Sequence, residues 1–111
     1  MEYGTKAKLA ERADTPIEVL EKLAADEEWM VRGRVASNPS TPQKSLELLA
    51  TDKNPDVRGR LASNPSTPLK TLELLATDEN SWVRYWTAQN PNRNELIERL
   101  VLMTNYKLGV G

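Results

Sequence analysis

A chain of 111 residues with 15 Lys and Arg against 16 Asp and Glu has the length of one domain and a net charge of −1. That balance gives no global pull toward nucleic acid or an anionic membrane, and the chain contains neither Cys nor His. Disulfides, thiolate-held zinc or iron–sulfur clusters, and imidazole acid–base chemistry near neutral pH are therefore excluded.

The first stretch, MEYGTKAKLAER, is charged and lacks the apolar run of a signal peptide. No later run approaches the ~20 apolar residues of a membrane span, so a cytoplasmic location is the default expectation. Residues 3–28 form the first of four registers, followed by 29–54, 55–80 and 81–106, with Gly, Val and Gly at 109–111 as a short tail. The period is 26 residues, carried by ASNPSTP at Ala36–Pro42 and again at Ala62–Pro68. Val31, Val57 and Val83 keep the same period, as do Pro16, Pro42 and Pro68. A fixed period of this size predicts a stack of repeats, one domain over 1–111.

Each register holds two short helical segments. In the first register, Thr15-Pro16-Ile17-Glu18 has the form of a capping box that opens the second helix. The same register departs from the others at Thr5, where they carry valine, and at Arg12-Ala13, where they carry Asn-Pro. The second and third are nearly identical: VRGRVASNPSTPQKSLELLATD against VRGRLASNPSTPLKTLELLATD. In the third, Asn54-Pro55-Asp56 supplies an N-cap, a proline at the first helical position and an acid in the first turn. Val57 and Leu61 then fall at i and i+4, on one helical face. Asn64-Pro65 ends that helix, because proline pushes the residue before it out of the α region. Thr67-Pro68 reads as the cap of the next helix, whose Leu72, Leu75 and Ala76 form an apolar stripe extended back by Leu69.

The fourth register keeps Val83-Arg84, Ala88 and Asn90-Pro91. There Asn94 replaces the second proline, and the stripe reads as Ile97, Leu100 and Val101, shifted by one residue. Divergence at both ends predicts that the first and last registers act as caps. The first helix of each register has only about two turns, too few to hold alone, so stacking must hold it. Two such helices per register predict an all-α fold, an α-solenoid of about four two-helix repeats.

The pattern ASNPSTP-x3-LxLLAxD-x4-VR resembles the bacterial leucine-rich repeat variant family over roughly residues 5–102. The resemblance implies a right-handed superhelix of alternating short 3₁₀ and α-helices, akin to HEAT and armadillo arrays. Some members carry a Cys-rich iron–sulfur segment, which this chain lacks. The similar HEAT pattern also implies that an Asp ahead of a Val-Arg arginine builds an internal ladder. Asp26, Asp52 and Asp78 stand six residues before Arg32, Arg58 and Arg84 and fit that role.

Equivalent positions in a solenoid form columns. The Val-Arg column is Lys6, Arg32, Arg58 and Arg84, and two residues on it is Lys8, Arg34, Arg60 and Trp86. Helices packed about 8–10 Å apart repeat these charges at about the screening length of physiological salt, so they sum to a directional field. Lys8, Arg34 and Arg60 have no matching acid column at that spacing, which leaves a solvated face or contact with a partner. Trp29, Trp82, Tyr85 and Trp86 gather in the first helices of the second and fourth registers and read as cover for the open end; alternatively Tyr85 and Trp86 form an aromatic anchor beside Arg84 and Arg60, residue types enriched at binding hot spots. Glu21, Glu47 and Glu73 form the opposite, acidic column. Gly33 and Gly59 inside a helix allow either close helix approach or access to the backbone.

No nucleophile with a base, metal-ligand spacing or Gly-rich phosphate loop is present, so the expectation is a non-enzyme without cofactor or metal. The first functional expectation is a protein-interaction scaffold presenting Lys8, Arg34, Arg60, Arg84, Tyr85 and Trp86 to an acidic protein or peptide. The alternative is a nucleic-acid backbone on the same arginines. The split into a basic and an acidic edge also permits self-association.

Overall fold

The computed structural model describes residues 1–107 and Gly109; the rest of the tail read at 109–111 lies outside the described residues. The chain is all-helical: α1 (Tyr3–Glu11), α2 (Ile17–Leu23), α3 (Trp29–Ser37), α4 (Gln43–Leu49), α5 (Pro55–Ser63), α6 (Leu69–Leu75), α7 (Ser81–Ala88) and α8 (Arg93–Lys107). The odd-numbered helices begin at residues 3, 29, 55 and 81, one period apart. They pack directly on one another, α1 on α3, α3 on α5 and α5 on α7. Among the described residues, the even-numbered helices touch one another far less, and most between α6 and α8. The result is a solenoid with a tight first layer and a looser second layer, 54 Å long and 25 × 18 Å across.

The core is a seam between these layers. Val31, Val35, Val57, Leu61 and Val83 from the first layer meet Leu46, Leu49, Leu72, Leu75 and Leu96 from the second. Burying each such side chain is worth about 1.5–3 kcal/mol, which is how helices of seven to nine residues persist. Ala10, Ala36 and Ala62 are fully buried, and their small size lets successive first-layer helices approach closely.

Three features differ from the sequence expectation. The family resemblance implies 3₁₀ first helices, yet α3 and α5 are nine-residue α-helices. Val57 and Leu61 are four apart and both fully buried; an α-helix superimposes positions four apart, whereas a 3₁₀-helix rotates them away. The threonines of Thr-Pro do not cap the helix that follows. Thr41 and Thr67 instead donate their hydroxyls to the carbonyls of Val35 and Leu61, each at 2.7 Å, and so close the preceding helix. Thr15 does the same to Leu9, which leaves the capping box unformed. Finally, α8 starts two residues early against the period, because no Thr-Pro follows Asn90-Pro91. Two residues turn a helix by about 200°, so Leu96 is buried and Leu100 half-buried, while Ile97 and Val101 stay 55% and 51% exposed.

The asparagine that ends each first helix does more than stop it. Asn38, Asn64 and Asn90 are almost completely buried. The Asn64 amide donates to the carbonyls of Ala36 at 2.8 Å and Asn38 at 3.1 Å, both in the preceding unit. Its oxygen accepts the N–H of Ser66 at 2.9 Å. Asn90 then donates to Ala62 and Asn64, and Asn38 donates to Ala10 and Arg12. Each asparagine therefore ties its own turn to the unit before it, and Asn38 and Asn64 also offer their carbonyls to the unit after them. The Asn-Pro that stops the first helix is also the staple between repeats.

Candidate functional site

Along one edge runs a charge ladder. Arg58 donates from Nη1 to the backbone carbonyl of Asp52 at 2.6 Å. Its Nε and Nη2 grip the Asp78 carboxylate at 2.8 and 3.1 Å. Arg32 repeats this with the Asp26 carbonyl and the Asp52 carboxylate, and Lys6 pairs with Asp26 at 2.9 Å. Each arginine thus takes only the carbonyl of the aspartate six residues before it. The carboxylate it holds belongs to the aspartate twenty residues after it. Arg84 is anchored in the same way to the Asp78 carbonyl, at 2.6 Å, but position 104 is threonine and no carboxylate reaches it among the described residues.

Burial alone would raise the carboxyls of Asp52 and Asp78. The guanidinium of Arg32 or Arg58 and the N–H of Asn54 or Asn80 outweigh that and hold both below their ordinary value. The N–H of Glu28 and the Lys6 ammonium lower Asp26 likewise. A carboxyl whose folded-state pKa is depressed adds stability that is full above its unfolded pKa, about 3.9. That stability drains away as pH falls through the lower, folded value. The urea midpoint is expected to stay flat above about pH 5 and to drop below about pH 4. In Asp78→Asn the acid drop should be shallower, and an equally steep drop would show that the ladder does not govern it.

The second basic column lies beside this ladder. Lys8 and Arg60 are exposed, and neither has a carboxylate partner among the described residues, whereas Arg34 pairs with Glu11. Arg60 lies across Gly33, where a Cβ would come within 3.0 Å of its Cδ. Trp86 lies across Gly59, where a Cβ would sit 3.7 Å from its Cδ1. The two glycines therefore give the next unit's side chain a bed. Tyr85 stands at the third position of this glycine column and packs edge-to-face between Trp82 and Trp86, with ring centroids 5.8 and 5.1 Å apart.

A groove of about 690 Å³ opens over this bed. Its floor is Pro55, Gly59 and Ser63, spaced four apart along α5 and bare of large side chains. Trp29 walls it on the α3 side, Trp82 and Trp86 on the α7 side, and Arg60 and Asp56 stand within it. All three tryptophans of the chain line this one groove. Of the residues expected to meet a partner, Arg60 and Trp86 line it, and Arg34 joins Arg60 in a small adjoining pocket. Lys8, Arg84 and Tyr85 fall outside the lining. Trp29 and Trp82 complete the wall; they come from different columns, so a column-by-column reading separates them. Among the described residues, no three acidic side chains lie close enough to share a metal ion.

The bed makes a prediction. Glycine inside a helix costs about 0.8–1 kcal/mol relative to alanine, and the Cβ of Gly59→Ala would make only ordinary contact with Trp86. This variant is expected to gain about 0.5–1 kcal/mol in urea unfolding. Gly33→Ala should gain less, because Arg60 must move aside. A loss of stability in Gly59→Ala would mean that the backbone itself needs the glycine.

No family model, curated protein or solved structure matches the chain.

Proposed function

We propose that this chain is a non-enzymatic scaffold for protein–protein interaction that seats a segment of an acidic partner in the tryptophan groove. The observation that carries this reading is the gathering of all three tryptophans around Arg60 over a floor of Pro55, Gly59 and Ser63. Soluble chains rarely expose aromatics together; here Trp82 is 66% and Trp86 43% exposed. Tryptophan and arginine are the types that dominate binding energy at interfaces. Arg60 supplies the charge that an acidic segment would meet, and Lys8 extends it along the column. The repeat pattern supports membership of the bacterial leucine-rich repeat variant family and, with it, a place in a bacterial cytoplasm. No described helix is long and apolar enough to cross a membrane.

The test is a tagged pull-down from native lysate, with and without nuclease, followed by titration of the captured protein. Trp86→Ala and Arg60→Glu are each expected to weaken binding about 30-fold while far-UV circular dichroism is unchanged. Undiminished binding in both variants would remove the groove from the interaction. Capture that vanishes with nuclease and falls steeply with salt would transfer the arginines to a nucleic-acid backbone.

A further inference from the structure

Among the described residues, the charge ladder is closed at Lys6, Arg32 and Arg58 and open at Arg84. Arg32 and Arg58 show what the Val-Arg arginine is built to hold. Nη1 is fixed by a carbonyl six residues back, which turns the Nε–Nη2 edge toward a carboxylate. Arg84 has the same anchor at the same 2.6 Å, so its fork is already oriented. The residue that should fill it by the period is Thr104, an exposed position on α8 whose hydroxyl donates to Leu100. We propose that the Arg84 fork is a carboxylate-binding site, and that a partner's Asp or Glu side chain sits on it as Asp78 sits on Arg58.

The occupant is an acidic peptide segment rather than another stacked repeat. A further unit would need a bare bed on α7 for its own side chain, as Gly33 receives Arg60 and Gly59 receives Trp86. Tyr85 fills that bed, wedged edge-on between Trp82 and Trp86. A turn or extended segment needs only the fork. The two internal carboxylates also specify the geometry. Asp52 and Asp78 each accept the N–H of the residue two further on, at 2.9 and 2.8 Å, while held bidentately by arginine. Planar two-point recognition of this kind separates arginine from lysine. The inference rests on the reading of an acidic protein partner, but its test needs neither that partner nor the groove.

The probe is a capped peptide copying residues 49–55, whose one carboxylate is Asp52. The full chain is labelled with ¹⁵N and the arginine Nε–Hε resonances are followed during titration. The Arg84 resonance is expected to move toward those of Arg32 and Arg58. A peptide with Asn in place of Asp52, and the Arg84→Lys protein followed by backbone amides of α7, should each bind about tenfold more weakly. Equal response to the Asp and Asn peptides, or shifts confined to Arg34 and Arg60, would overturn the proposal. Inorganic phosphate moving Arg84 at lower concentration than the peptide would overturn the carboxylate assignment. Trp86→Ala is expected to leave the titration unchanged, so failure of the groove and failure of the fork are separately visible.

Discussion

Replacing Asn64 by alanine is expected to destabilise the stack by about 2–3 kcal/mol, since the buried Ala36 carbonyl is left without a partner at about 1–3 kcal/mol, while the Asn38 carbonyl keeps the N–H of Thr41 and Ser66 is exposed. Asn64 serves three backbone groups at once: the carbonyls of Ala36 and Asn38 and the N–H of Ser66. The site is dry, with Asn64 only 2% exposed, so water does not easily replace the amide. Asn64→Asp keeps the shape but aims a carboxylate at two carbonyl oxygens. It should be worse than alanine at pH 7, and its pKa in the folded state should be raised. A raised carboxyl favours folding when protonated, so the deficit of this variant should narrow as pH falls. The ladder aspartates are present in both proteins and lose stability alike in acid, so the convergence of the two urea midpoints reports the new carboxyl alone. Parallel midpoints across pH 3–7 would show that the aspartate is solvated and that the staple is not buried in solution.

The second large effect is expected at Arg58. It holds the Asp78 carboxylate, and both side chains are about nine-tenths buried. Removing one member of such a pair leaves the other's charge without compensation, at about 3–5 kcal/mol. Arg58→Ala should therefore cost far more than a surface arginine, whose exposed pair is worth about 0–1 kcal/mol. Asp78→Asn retains an acceptor for the Asn80 N–H, so Arg58→Ala with Asp78→Asn should recover part of the loss. A double-mutant cycle is expected to return a coupling of about 1–3 kcal/mol. A single Arg58→Ala costing under about 1 kcal/mol would place Asp78 in contact with solvent.

The repeat made the all-α solenoid legible, because Val57 and Leu61 or Leu72 and Leu75 assign themselves to helix faces once the period is known. Four things escaped for physical reasons. The ladder direction was hidden by the period itself: six residues before an arginine and twenty after it fall in the same column, and only side-chain reach chooses between them. The asparagine staple was hidden because proline already explains why the first helix stops at Asn64. The groove was hidden because its walls come from helices two units apart, Trp29 on one and Trp82 and Trp86 on the other. The α8 register slipped because a missing Thr-Pro moves a helix start by two residues while leaving an apolar stripe that still looks plausible.

The glycine column also sets how such an array is lengthened. A unit added beyond α7 meets Tyr85 instead of glycine and Thr104 instead of aspartate, so it finds neither bed nor rung. A unit spliced between Asn54 and Pro55 meets Gly33 on one side and offers its own glycine to Arg60 on the other. The two near-identical central repeats stand where an inserted unit finds both bed and rung. Lengthening by one period therefore disturbs fewest contacts when the new unit enters between α4 and α5, with the bed and rung on each side already in place.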